Sequence, residues 1–114
     1  MNLLEVSSAL EGDKLVVTVA GELDVSTAPI LRRELERATQ RFPNALRLDL
    51  SALRFMDSTG LQLVLTTDSR AREEGRELEL VRGSDTVQRV FQVAGLEERL
   101  TFIDPEDGSS GRSG

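Results

Sequence analysis

One short segment of the chain brings together side chains that can do chemistry. It runs Asp57-Ser58-Thr59-Gly60-Leu61, between a strand-like alternation and an apolar pattern of helical period. The Ser58 hydroxyl can serve as a nucleophile or as a cap for the start of the helix. Asp57 can cap the helix as well, and Gly60 allows close packing of the backbone. The spacing alone favours a helix cap and leaves the other uses open.

The composition removes most catalytic roles for that serine. The 114 residues contain no histidine and no cysteine, which excludes Ser-His-Asp and Cys-His catalysis, thiolate or imidazole metal ligation and histidine-based pH sensing. A serine on the nucleophile elbow of a hydrolase follows a glycine two positions earlier, and Met56 stands there instead. The sequence therefore argues against a serine nucleophile at this position.

Three carboxylates raise the question of a metal site. They belong to Asp24, Asp49 and Asp57, and carboxylate oxygens are ligands for hard cations. Asp49, however, alternates with Leu48 and Leu50 in a strand-like segment and is expected to face solvent. We therefore predict no metal site.

Charge and size indicate the kind of partner. Fourteen basic and 20 acidic residues give a net charge of -6, and a domain of this charge repels nucleic acid and anionic membranes at long range. The length corresponds to one domain. No apolar stretch approaches the roughly 20 residues of a membrane span, and the first residues lack the pattern of a signal peptide. We expect a cytoplasmic protein with a protein partner and no direct contact with nucleic acid or membrane.

Hydrophobic periodicity predicts alternating strands and helices. Apolar residues two apart indicate strands, and apolar residues three and four apart indicate helices. Glycines and prolines between these segments mark the turns, and Gly21 is expected to end the second strand. In chain order the patterns predict strands over 4–10 and 15–19, a helix from about 26 to 42, a strand over 46–50, a helix from 58 to about 74, a strand over 77–82, a helix over 85–94, a helical turn over 96–100 and a strand over 101–103.

This order predicts an α/β fold with one small core. Parallel strands joined by helical crossovers, together with an antiparallel hairpin at the start, make a mixed β-sheet of four to five strands covered by about four helices. The Gly/Ser tail over 108–114 has nothing to bury and is predicted to be disordered, which leaves residues 1–107 as the domain. The residues predicted to fill the core include Leu23, Leu48, Leu50 and Phe91.

Three blocks of the sequence together carry a family resemblance. The segment over 48–61, LDLSALRFMDSTGL, resembles the signature of the STAS domain of bacterial anti-sigma factor antagonists. The GELD and TA of residues 21–28 resemble its second block, and the VF and GL of residues 90–96 resemble its third. The blocks occur in the order and spacing of the family and cover the chain to about Asp104.

This resemblance implies a regulatory switch without catalytic activity or cofactor. In such antagonists the serine of the signature block is phosphorylated by the anti-sigma factor, which is a serine kinase. The unmodified antagonist sequesters that kinase, and a metal-dependent serine phosphatase reverses the modification. Ser58 matches the phosphorylated serine. The partner-binding residues implied by the resemblance are Asp24, Asp57, Ser58, Thr59, Gly60 and Leu61.

Two other functions are compatible with the same pattern. The first is a STAS scaffold or sensor module of a larger signalling assembly, in which Ser58 is unmodified or modified for another purpose. The second is a small-ligand or nucleotide-binding domain that uses the helix start at Ser58 as an anion site. The chain has no glycine-rich phosphate loop and no Trp or Tyr for stacking, which disfavours nucleotide binding.

Overall fold

The computed structural model describes residues 3–41 and 44–105. None of the helices in these residues is long and apolar enough to cross a membrane. The predicted tail over 108–114 and the predicted boundary at Asp107 lie outside the described residues. The elements are β1 (Leu4–Glu11), β2 (Lys14–Leu23), α1 (Ala28–Arg41), β3 (Ala45–Met56), α2 (Ser58–Glu73), β4 (Glu77–Val81), α3 (Asp85–Val93) and β5 (Phe102–Ile103).

The five strands form one mixed sheet whose strand order follows the chain, β1-β2-β3-β4-β5. The β1–β2 pair is antiparallel and the other pairs are parallel. Right-handed crossovers that advance in one direction put every helix on the same face of the sheet. Accordingly α2 packs against both α1 and α3 in one layer. The predicted α/β class and mixed sheet are confirmed, and the other face of the sheet carries no helix in the described chain.

The expectation of about four helices is wrong, because the described residues form three. The predicted turn over 96–100 makes only the bonds of an isolated turn, in which the Leu96 carbonyl accepts from the N–H groups of Arg99 and Leu100 at 3.1 and 3.3 Å. A single turn does not propagate, since nucleating a helix is costly and only added residues recover that cost. The chain enters β5 two residues later.

The predicted core residues are confirmed. Leu23, Leu48, Leu50 and Phe91 have no solvent-exposed area. The Phe91 ring packs edge-on against Phe102, with 5.1 Å between ring centroids and 76° between ring planes. This aromatic pair joins α3 to the short edge strand β5.

Strands β2 and β3 extend well beyond the predicted ends. Gly21 lies inside β2 at φ +110°, where a Cβ would collide with the Leu3 carbonyl oxygen. The β2–β3 register shifts twice, between Thr18 and Ala20 and between Gly21 and Glu22. At each shift β3 gains one residue on β2, as in a β-bulge.

The shifts explain why the alternation in the sequence stops early. The inward residues of β3 are two apart up to Leu50 and three apart afterwards, at Leu53 and Met56. Each extra residue lengthens the interval by one. The strict period of two used to predict strands therefore fails after Leu50.

A charged cluster lies on the sheet face that carries no helix in the described residues, toward the amino ends of the parallel strands. The Glu79 Oε1 atom accepts hydrogen bonds from Lys14 Nζ and from Arg47 Nε and Nη2, each at 3.0 Å. These residues lie on β4, β2 and β3, so the cluster ties three neighbouring strands together. The hydrogen bond from Lys14, reinforced by Arg47, holds the pKa of the Glu79 carboxyl below its usual range.

The cluster predicts a specific dependence of stability on pH. Because folding lowers the pKa of Glu79, its contribution is complete above the unfolded-state pKa and disappears as pH falls through the folded-state pKa. Glu79→Gln should therefore be less stable than the native protein at pH 7. The difference in melting temperature should shrink steadily as the pH falls through the folded-state pKa of Glu79. A difference that stays constant across this range in thermal melts would contradict the assignment.

Candidate functional site

The candidate site lies where the carboxyl ends of β2 and β3 meet. Leu23 and Met56 are register partners at the ends of these strands, and the Asp57 N–H donates to the Leu23 carbonyl at 3.2 Å. Asp24 and Asp57 directly follow these two strands. The fold thus brings two separate predicted segments to one edge of the sheet.

Asp57 caps the start of α2. Its backbone is extended, with φ -109° and ψ -168°, and its Oδ1 atom accepts from the N–H groups of Thr59 at 2.9 Å and Gly60 at 3.4 Å. The sequence left open whether Asp57 or Ser58 takes this position. Because Asp57 satisfies these free N–H groups, the Ser58 hydroxyl is not needed for the cap.

Ser58 is the first residue of α2 and is exposed to solvent. No other residue in the described part of the chain forms a hydrogen bond with its hydroxyl. The hydroxyl is therefore accessible to a modifying enzyme, and it lies at the positive end of the helix dipole. These properties match those of a phosphate acceptor.

Asp24 lies beside this site in a network of hydrogen bonds within its own loop. Its Oδ1 atom accepts from the N–H and hydroxyl of Ser26 at 3.0 and 2.8 Å, and from the N–H and hydroxyl of Thr27 at 3.2 and 3.3 Å. The hydrogen bond from the Ser26 hydroxyl is the main reason why the pKa of Asp24 lies below its usual value. Only 9% of Asp24 is exposed. The network shapes the loop before α1 and leaves Asp24 little surface for a partner.

The remaining predicted residues anchor the start of α2. Thr59 and Leu61 are half-buried, and Leu61 packs against the core. Gly60 is buried, and a Cβ at its position would lie 2.6 Å from Met56 Cγ and 2.8 Å from Leu23 Cγ. Of the six predicted partner-binding residues, Ser58 is the one that the structure exposes.

The sequence interpretation missed two exposed apolar side chains at this edge. Val25 follows Asp24 and is 71% exposed, and Phe55 precedes Asp57 by two positions and is 43% exposed. Exposed apolar groups near a polar centre are typical of protein interfaces. Val25 had a detectable signal, because it is an apolar residue outside both neighbouring periodic patterns.

The three aspartates considered as metal ligands do not lie close together. Asp49 points to the sheet face without helices, where its Oδ1 atom accepts from the N–H and hydroxyl of Ser51 at 2.9 and 2.6 Å. Over residues 3–41 and 44–105, no three acidic side chains lie close enough together to hold a metal ion.

Comparison with known proteins connects this geometry to a family. The family model described as "Mlab, STAS domain" matches residues 6–103, which is most of the chain. The chain belongs to the STAS domain family. This STAS domain is 31% identical over 113 residues to the anti-sigma-B factor antagonist of Listeria monocytogenes, with 99% of each chain covered. That relative is named as a regulator and not as an enzyme.

Solved STAS structures share the fold. An anti-sigma factor antagonist from Mycobacterium paratuberculosis superposes with a TM-score of 0.80 at 24% identity, covering 96% of this chain and 92% of that one. The Bacillus cell fate determinant SpoIIAA, solved in its phosphorylated form, superposes with a TM-score of 0.70 at 24% identity and covers 95% and 96%. The two-layer arrangement of this STAS domain is thus that of known antagonists.

Proposed function

We propose that this STAS domain is an anti-sigma factor antagonist controlled by phosphorylation of Ser58. The unmodified protein binds and sequesters an anti-sigma factor serine kinase, which frees the sigma factor for transcription. Phosphorylation of Ser58 releases the kinase, and a serine phosphatase restores the binding form. The cycle takes place in the cytoplasm and needs no cofactor in this chain.

One observation carries the proposal: the Ser58 hydroxyl is exposed and unused at the first turn of a helix that Asp57 already caps. A phosphate on this hydroxyl meets the positive end of the helix dipole, so the fold tolerates it. The proposal is supported by SpoIIAA, which has the same fold and has been solved in a phosphorylated form. Modification can therefore change binding without unfolding the domain.

The surroundings of Ser58 support release upon phosphorylation. Val25 and Phe55 offer apolar contact area to a partner at the same edge. A phosphate adds a charge of about -1.5 to -2 beside the Asp57 carboxylate, and a partner that covers it must remove its water. That desolvation cost falls on the complex alone. Phosphorylation therefore destabilises the complex with the partner much more than it destabilises the free domain.

The proposal is tested with a kinase captured from the cytosol of the source organism by the unmodified protein. Ser58→Ala should bind it constitutively, with little change in stability because Asp57 forms the cap. Ser58→Glu should keep the fold but bind at least tenfold more weakly, about 1.4 kcal/mol. Titration calorimetry measures the affinities, and circular dichroism measures the fold.

A charge elsewhere on α2 provides the matched control. Ser69 is an exposed serine on the same helix, eleven positions after Ser58. Ser69→Glu should leave the affinity unchanged, which separates a local effect from net charge. Treatment with the kinase and ATP should add one phosphate to the peptide that contains Ser58. Phosphate on Thr59 or Ser51, or full affinity of Ser58→Glu, would show the assignment to be wrong.

A further inference from the structure

In the part of the chain that the structure describes, the strand β1 forms a long edge of the sheet that no other strand covers. It has eight residues, contains no Pro and no Lys, and pairs with β2 without a register shift. In natural proteins, edge strands are usually short, bulged, covered by another element, or contain Pro or Lys, because an open edge can pair with another strand. The opposite edge, β5, has two residues. The free edge at β1 is thus the part of the sheet that can accept a further strand.

The pairing with β2 fixes which backbone groups of β1 face outward. The Glu22 N–H donates to the Leu3 carbonyl at 3.0 Å, and Glu11 pairs with Lys14 across a two-residue turn. Hydrogen-bonded pairs alternate in an antiparallel ladder, so the odd-numbered residues of β1 bond to β2. The outward N–H and C=O groups belong to Leu4, Val6, Ser8 and Leu10.

We propose that this edge binds a second copy of the chain, with two β1 strands paired antiparallel about a two-fold axis at Ser7. In this register Leu4 lies opposite Leu10 of the second copy, and Val6 lies opposite Ser8. All four outward residues of each strand are paired, and four N–H donors on each of two strands give eight hydrogen bonds. The product is one continuous sheet made from two five-stranded halves.

Neighbouring registers are less favourable. An axis at Ser8 places Glu5 opposite Glu11 of the second copy, and like charges directly opposite each other are destabilising. An axis at Val6 leaves Leu10 beyond the first residue of the other strand, Leu4. The axis at Ser7 avoids both defects and places Glu5 opposite Ala9.

The side chains on the helix side of β1 are complementary in the same register. Leu10 is 53% exposed in one copy, although it lies on the face that packs against helices. Pairing at Ser7 sets it against Leu4, which is half-buried and in contact with the core. The pairing therefore covers an apolar side chain that the single domain leaves in water.

The helix above β1 also allows a second copy to approach. Helix α1 packs on both β1 and β2, so two α1 helices would lie two strand spacings apart, about 10 Å. This is the usual distance between packed helices. The Ser8 hydroxyl donates to Glu34 Oε2 at 3.1 Å, which places Glu34 on the side of α1 toward this edge.

The edge-facing side of α1 suits an antiparallel neighbour. Ile30 and Arg37 lie one turn from Glu34 on that side, and Ile30 is exposed. When two α1 helices meet, Ile30 supplies apolar contact area, and Glu34 and Arg37 supply opposite charges. The antiparallel arrangement also turns the Ser58 sites toward opposite ends of the joined sheet, so both remain accessible. The pairing does not depend on the switch proposed for Ser58.

Disulfide trapping tests the register directly, because the native chain has no cysteine. Two Ser7→Cys copies would face each other at the axis in a non-hydrogen-bonded pair, with Cα atoms about 4.5 Å apart, within the range of a disulfide. Mild oxidation with diamide should give a cross-linked dimer of twice the 12.5 kDa chain mass. Ala9→Cys is the matched control on the same face of β1. Its sulfurs would be offset by four residues, roughly 13 Å, and should not cross-link.

A second measurement follows the association without a cross-link. Light scattering coupled to size exclusion should show a dimer of the native protein that dissociates on dilution. Leu10→Lys should weaken dimerisation at least tenfold. Val93→Lys should not, because Val93 is 82% exposed on α3, away from β1. A native protein that stays monomeric at about 1 mM, or equal cross-linking of Ser7→Cys and Ala9→Cys, would overturn the proposal.

Discussion

Phe91→Ala is expected to lower the free energy of unfolding by about 3–5 kcal/mol. The ring is fully buried between α3 and the sheet, and its edge-to-face contact with Phe102 holds β5 in place. Truncation removes both the apolar burial and the aromatic contact, and it leaves a cavity that the rigid sheet cannot close. The total free energy of unfolding of a domain of this size is about 5–15 kcal/mol. The melting temperature should fall by at least about 12 °C.

Val93→Ala is the matched control for this prediction. It removes an apolar side chain from the same helix, but Val93 is exposed, so its free energy of unfolding should change by less than about 0.5 kcal/mol. Chemical denaturation of both variants gives the comparison. Near-native stability of Phe91→Ala would mean that α3 packs through a different face.

Gly60→Val is expected to damage both the fold and the candidate site. A Cβ at Gly60 already overlaps Met56 and Leu23. The overlapped atoms include the Cγ atoms, which lie close to the backbone, and both side chains are buried and have little freedom to move. Overpacking of this kind costs about 1–3 kcal/mol. The start of α2 must shift to relieve the overlap, and Ser58 moves with it. Partner affinity should therefore fall further than the loss of stability explains.

Gln62→Val separates this effect from the helix preference of valine. Gln62 is exposed on α2 two residues after Gly60, so the same new side chain should cost no more than about 0.7 kcal/mol. Thermal melts of both variants should be followed by partner binding at a temperature where both remain folded. Full partner affinity of folded Gly60→Val would show that the position of the α2 start does not control binding.

Much of the fold could be predicted because its strands and helices have clear periods. The pattern of Leu46, Leu48 and Leu50 identified the central strand, and the spacing from Val87 to Phe91 identified the buried side of α3. The two added residues in β3 could not be predicted in this way. They depend on pairing with β2, and nothing in the local sequence of β3 marks the positions at which its register with β2 shifts.

The candidate site could be located from the sequence but not resolved atom by atom. Asp57 and Ser58 are both good helix caps by residue type, and only the backbone angles at Asp57 decide between them. The sequence also could not show that Asp24 is enclosed by Ser26 and Thr27, since a short polar loop can point its carboxylate toward solvent or toward its own backbone. Because Asp57 forms the cap and Asp24 bonds within its own loop, neither residue engages the Ser58 hydroxyl, which stays exposed.

The strand order of the sheet has a consequence for how the chain folds. Each strand after β1 adds next to the strand that precedes it in the chain, so no strand must enter between two that have already paired. Each parallel pairing closes one crossover that contains its own helix, and the entropic cost of closing such a segment grows only slowly with its length. Such local topologies fold quickly compared with sheets built from distant segments. The domain can therefore assemble progressively from its N-terminal hairpin as it leaves the ribosome, with one exposed edge at the growing end at every stage.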